Sequence, residues 1–106
     1  MRPTRLEESQ LQQALSTLPD WQRVDGRDAI RRQFTFTDFN QAFAFMTRVA
    51  LMAEKLDHHP EWSNVYNRVD VLLSTHSAGG VTELDLQMAR FCDQASHSWA
   101  ARRADT

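Results

Sequence analysis

A chain of 106 residues with 42% hydrophobic and 25% charged side chains has the make-up of an ordinary globular protein, which sets aside a fibrous repeat or a disordered segment and leaves room for a single domain, residues 1–106, with one modest core. Twelve Lys and Arg against fourteen Asp and Glu give a formal net charge of -2, so the positive footprint of a protein that grips phosphate backbone directly is missing and no direct contact with nucleic acid is expected. No apolar run approaches the ~20 residues needed to span a bilayer, the amino terminus has no signal-peptide core, and the one cysteine, Cys92, has no partner for an internal disulfide; a cytoplasmic, reducing location without a membrane contact is expected.

Leu11, Leu15 and Leu18 recur at helical spacing within residues 4–18, predicting a short amphipathic helix that Pro19 ends. Residues 21–24 and 29–36 read as a hairpin closed by Asp25-Gly26-Arg27-Asp28, with Ile30, Phe34 and Phe36 on one face and Arg31, Gln33 and Thr35 on the other. Thr37 or Asp38 is placed to cap a second helix striped by Phe39, Phe43, Met46, Ala50 and Ala53; Pro60 stops it and biases His59 towards extended backbone. Val65, Val69, Val71 and Leu73 then share one parity against Tyr66, Arg68, Asp70 and His76, predicting one or two strands with a core face and a break near Asn67. After the turn Ser77-Ala78-Gly79-Gly80, Thr82 and Asp85 have capping-box spacing ahead of a helix striped by Leu84, Met88, Phe91, Cys92, Ala95 and Trp99; the tail from residue 101 is expected to fray. This order predicts an α+β domain, an antiparallel sheet of about four strands with helices packed on one face.

The chemistry-bearing residues gather at the end of the second helix. Glu54 and Asp57 lie in its last turn and His58, His59 and Pro60 follow directly. Helical spacing puts Glu54 below His58, beside the negative end of the helix dipole. A carboxylate in such a position can hold one imidazole as imidazolium while a second, better isolated ring stays neutral, an acid and base pair without a metal. His76, at the far end of the strand region, could return to the same mouth in an antiparallel fold. The plainer readings stand beside these: His-His-Pro as a helix-ending loop, Glu54 and Asp57 as surface charges, Asp85 as a capping residue, His97 as a surface residue near a helix end, Trp21 and Trp99 as core or interface aromatics. Trp62 is placed equally well for the core and for a flat heterocycle. A zinc site from His58, His59 and His76 is disfavoured, because adjacent residues in extended backbone point apart and no spaced His or Cys pair is present.

The segment EKLDHHPEW, residues 54–62, followed by NVYNRVDVLLSTH, resembles the active-site segment of the pterin-4a-carbinolamine dehydratase family, and the likeness extends over Trp21, GRDAI and DFNQAFAFMTRVAL to the final helix. The resemblance implies a dehydratase that converts 4a-hydroxytetrahydropterin, left by an aromatic amino acid hydroxylase, to quinonoid dihydropterin and water, with no cofactor and no metal. It implies catalytic roles for His58, His59 and His76 and pterin contacts from Glu54, Asp57, Pro60, Trp62 and Asp85. Within that reading His58 and His76 exchange protons, His59 orients the ring and Glu54 tunes His58. The family likeness also implies a homodimer or homotetramer. Its alternative is a non-catalytic dimerisation module for a transcription factor, which would tolerate loss of His58 and His76.

Overall fold

The computed structural model describes residues 3–104, with side chains through His97. Its elements are α1 (Glu8–Leu15), β1 (Gln22–Arg23), β2 (Ile30–Thr35), α2 (Phe39–Leu56), β3 (Glu61–Val65), β4 (Arg68–Leu73), a single 3-10 turn (His76–Ala78) and α3 (Glu83–Ala104). The four strands form one antiparallel sheet in the order β1-β2-β4-β3. One face is covered by α2 and α3; the other carries a polar lattice in which Asp70 accepts from Arg31 at 2.7 Å and from Gln33 at 3.2 Å. The α+β class and the one-sided packing expected from the sequence are therefore what the chain adopts.

α1 is shorter than its leucine spacing suggested. Residues 4–7 are extended because the Leu6 amide pairs with the Val81 carbonyl at 2.8 Å, and the helix begins where Gln10 accepts from the Glu7 amide at 2.8 Å. Leu18 lies beyond the helix yet is buried with Leu11. In β2 the alternation reads as predicted: Ile30 and Phe34 are buried, while Arg31, Gln33 and Thr35 are exposed.

α2 starts at Asp38, whose side chain accepts from the Gln41 amide at 2.9 Å, the usual service of an N-cap aspartate. Its core face is Ala42, Phe45, Val49 and Ala53, one residue out of phase with most of the predicted stripe. Phe39 and Phe43 are instead 47% and 54% exposed, and Leu51 68%. The helix is apolar nearly all round, so periodicity alone does not choose its face; Phe45 chooses it, packing on Phe34 and Phe36 with ring centroids 4.7 and 5.0 Å away.

The break near Asn67 is a two-residue turn between β3 and β4, with Tyr66 at φ 51° in the left-handed region. Asn64 steadies it by donating to the carbonyls of Tyr66 and Arg68, at 3.1 and 2.8 Å. Val65 faces Arg68 across this hairpin and so points to the open side of the sheet, 61% exposed, rather than into the core with Val69, Val71 and Leu73. In α3, Met88, Cys92 and Ala95 are buried as predicted, joined by Leu86 and Ala89. The helical backbone continues to Ala104, and the expectation for Trp99 lies outside the described residues. Trp21 is a core residue, its Nε1 donating to Asp93 at 2.8 Å.

Candidate active site

α2 ends at Leu56 because Asp57 turns into the left-handed region, φ 51° and ψ 46°. The His58 amide then reaches back to the Ala53 carbonyl at 2.9 Å, the long closing bond of a Schellman turn. Helical side-chain spacing stops applying at that point, which decides where the two histidines go. His58 turns inward and is 8% exposed; His59 turns out to solvent.

Inside, His58 Nε2 meets Asp85 Oδ1 at 2.5 Å. Asp85 is wholly buried in the first turn of α3, and its other oxygen accepts from the Thr75 hydroxyl and the Thr82 amide, both at 2.8 Å. Thr75 and Thr82 share a further hydroxyl bond at 2.6 Å, and Thr82 Oγ1 also accepts from the Leu84 amide at 3.3 Å. The capping box read from Thr82 and Asp85 is therefore half made, with Asp85 reaching back to the Thr82 amide while the Thr82 hydroxyl takes the Leu84 amide instead of that of Asp85, and the same carboxylate is the partner of a buried histidine.

Outside, His59 Nε2 pairs with Glu54. The sequence expectation that Glu54 would sit beneath His58 is thus corrected: the left-handed residue at 57 hands Glu54 to His59 and leaves His58 to Asp85. Both rings have Nε2 engaged by a carboxylate, so Nδ1 is the ring nitrogen each has left for chemistry.

His76 is exposed at the start of the 3-10 turn, one residue after Thr75 in the chain. Near it is Glu61, whose carboxyl is held below the ordinary range first by the Arg27 guanidinium and also by the charge of His76. Pro60 is half-buried between His59 and β3, and Asp57 is exposed. Trp62 is half-buried against the core, and with Arg31, Glu61, Asp70 and Leu72 it lines a depression of about 320 Å³. A larger groove of about 750 Å³, lined by Arg32, Phe34, Phe36, Asp93 and His97 among others, includes none of the predicted site residues, and its Arg32 is already paired with Asp93 at 2.6 Å. Among the described residues no group of three or more His, Cys, Asp or Glu is arranged to hold a metal ion. Cys92 is an inert thiol, pushed up to about 12 by burial.

Sequence reasoning missed Thr75 and Thr82 as members of the buried network and Arg27, Asp28 and Glu61 at its edge. Thr75 carried one signal, its place next to His76, and Thr82 another, its capping-box spacing with Asp85; the others carried only the punctuation of a turn or a strand start.

The model of the pterin 4 alpha carbinolamine dehydratase family matches residues 4–95. Proteins of Brucella ovis and Brucella abortus, provisionally named pterin-4-alpha-carbinolamine dehydratases, are each 63% identical over 90 residues, covering 85% of this chain and 93% of theirs. The crystal structure of a Brucella melitensis protein described as a transcriptional coactivator/pterin dehydratase is 60% identical, with a TM-score of 0.86 over 88% of this chain and 99% of that one. A pterin dehydratase-like protein described as a RuBisCO assembly factor in the alpha-carboxysome shares the fold at 20% identity, with a TM-score of 0.63 over 73% of this chain and 89% of its own.

Proposed function

The chain belongs to the pterin 4 alpha carbinolamine dehydratase family, and from that premise we propose that it dehydrates a 4a-hydroxytetrahydropterin to the quinonoid dihydropterin and water, by histidine acid/base catalysis in the cytoplasm. The carrying observation is the buried His58–Asp85 contact at 2.5 Å, set one residue from an exposed His59–Glu54 pair. In the reaction the C4a–O bond breaks as the N5 lone pair forms the C4a–N5 double bond; an acid protonates the departing hydroxyl and a base takes the N5 proton. Asp85 fixes the tautomer of His58 so that its Nδ1 is the working nitrogen. His76, exposed and on a separate segment, is the second proton carrier, and Glu54 orients His59 against the pterin ring. Asp57, Pro60 and Trp62 complete the wall around it. The pterin comes from turnover of an aromatic amino acid hydroxylase, which places the chain in tetrahydrobiopterin recycling.

The chain works as a homo-oligomer. Phe39, Phe43 and Leu51 fall on one exposed row of α2 at four-residue steps, with Thr47 between them, an apolar ridge of the kind that closes against a symmetric copy. That ridge also favours the second reading, a non-catalytic dimerisation module for a transcription factor.

The discriminating experiment follows dehydration of freshly generated 4a-hydroxytetrahydropterin by ultraviolet absorbance for the wild type, His58→Ala and His76→Ala, each checked for folding by circular dichroism. Acceleration by the wild type and its loss in both variants is expected. A folded wild type that leaves the spontaneous rate unchanged refutes the enzyme reading and leaves the binding module.

A further inference from the structure

The Asp25-Gly26-Arg27-Asp28 turn between β1 and β2 takes no part in the proton transfers, yet it touches both halves of the histidine site. Gly26 has φ 77°, a conformation glycine adopts without strain. Just past it, the two consecutive side chains part company. Arg27 closes on Glu61 as a two-pronged pair, with Nη1 donating to Oε1 at 3.0 Å and Nη2 to Oε2. Glu61 is the residue after His58-His59-Pro60 and the first of β3. Asp28 holds the other half. Its Oδ1 accepts from the Val81 amide at 3.1 Å, its backbone carbonyl accepts from the Ser74 hydroxyl at 2.8 Å, and Arg5 steadies its Oδ2 at 3.3 Å.

Ser74 and Val81 bracket the segment that carries Thr75 and His76, and that segment is closed on itself by the Thr75 and Gly80 amides, which donate to each other's carbonyls at 2.8 and 3.3 Å. Gly80 presses directly on the clamp: a Cβ there would lie 2.5 Å from Asp28 Oδ2 and 2.6 Å from its Cγ. Strand register puts both anchor points at one end of the sheet, with Glu61 opposite Leu72 and Leu73 opposite Ile30.

We propose that Arg27 and Asp28 are positioning residues that set the separation between the His58–His59 segment and the His76 loop. The consequence for turnover rests on the dehydratase reading; the consequence for local structure does not. Because the Arg27–Glu61 pair is solvent-exposed on both sides, it adds little to global stability, so variants at Arg27 remain folded and report on geometry.

The test compares wild type, Arg27→Ala, Arg27→Lys, Asp28→Ala, Asp28→Asn and Gly80→Ala in the full chain, by amide hydrogen exchange and by steady-state dehydration kinetics. In Asp28→Ala, exchange at Thr75 and Gly80, neither of which bonds to Asp28, is expected to quicken about fivefold or more while the α2 and β2 amides keep their rates. Asp28→Asn, which retains an acceptor oxygen for Val81, restores most of the protection, and Gly80→Ala reproduces the loss. In turnover, Arg27→Ala and Asp28→Ala lower kcat about tenfold with KM changed far less, the pattern of misplaced reacting groups. Arg27→Lys recovers only part, since a point charge does not make the fork. Exchange that quickens evenly over the whole chain, or that stays at wild-type rates in Asp28→Ala, overturns the clamp. Unchanged kcat in both alanine variants does so as well. A wild type without turnover removes the dehydratase reading alone, because the exchange pattern still decides the clamp.

Discussion

Replacing Asp85 separates the structural from the chemical work of one carboxylate. In Asp85→Ala three donors lose their acceptor: the Thr82 amide, the Thr75 hydroxyl and the His58 ring. Because Thr75 gives its one hydroxyl proton to Asp85, the 2.6 Å contact between the two threonines carries the Thr82 proton; without Asp85 only one of the two hydroxyl protons can use that contact, and three buried donors are left unsatisfied. At about 1–3 kcal/mol each the variant loses about 3–9 kcal/mol, a large part of the roughly 5–15 kcal/mol that holds a domain of this size. Asp85→Asn behaves differently. With its amide oxygen in the place of Oδ2 it still accepts from Thr75 and Thr82, and its NH2 faces His58 Nε2, which must then accept rather than donate. The proton moves to Nδ1, so the nitrogen offered to substrate changes from acceptor to donor. We expect Asp85→Asn to unfold in urea within about 1 kcal/mol of wild type yet to lose about 10²–10⁴-fold in kcat, the range for a mis-set general acid or base. Urea melts followed by tryptophan fluorescence, with kinetics on the same samples, measure both. An Asn variant with wild-type kcat refutes the tautomer argument, and an Ala variant as stable as Asn refutes the donor count.

Three further outcomes are expected. Glu54→Gln changes stability by less than about 0.5 kcal/mol, because the pair with His59 is exposed, while raising KM for the pterin about threefold to tenfold through a loosened His59; thermal melts and initial rates check each part. Leu51→Glu combined with Phe43→Asp is expected to convert the oligomer proposed for the wild type to a 12.3 kDa monomer in sedimentation equilibrium, and an unchanged mass excludes this ridge as the interface. Cys92, raised from 9.0 to about 12 by burial, contributes stability that is complete below pH 9 and is lost as pH rises towards 12, because only the unfolded thiol ionises in that window. Between pH 8 and pH 10 this costs about 1.4 kcal/mol, a loss that Cys92→Ala removes from urea melts at the two pH values.

The strands were legible because β2 and β4 alternate strictly, with one face taken by helices and the other by water. The face of α2 was not legible, since Phe39, Phe43 and Leu51 are as apolar as Ala42, Phe45 and Val49, and only contact with Phe34 and Phe36 distinguishes the two sets. Val65 was misplaced because a two-residue turn reverses which parity faces inward. The signature positions of the site could be read in order along the chain, but their pairing could not. One left-handed residue, Asp57, exchanges the carboxylate partners that helical spacing assigned, and such a conformation at an aspartate leaves no mark in the pattern. Asp85 offered a choice between capping and a pocket contact; its Oδ2 takes the Thr82 amide and its Oδ1 meets His58, both inside the protein.

The consecutive placement of His58 and His59 bears on how the site responds to heat. Their Cα atoms are tied about 3.8 Å apart by one planar peptide unit, so thermal breathing between helix layer and sheet carries the two rings along together. His76 travels with a different stretch of backbone. As temperature rises towards unfolding, the spacing expected to drift is therefore the one to His76, and on the proposed dehydratase reading the Arrhenius plot of turnover is expected to bend downward before α2 begins to melt.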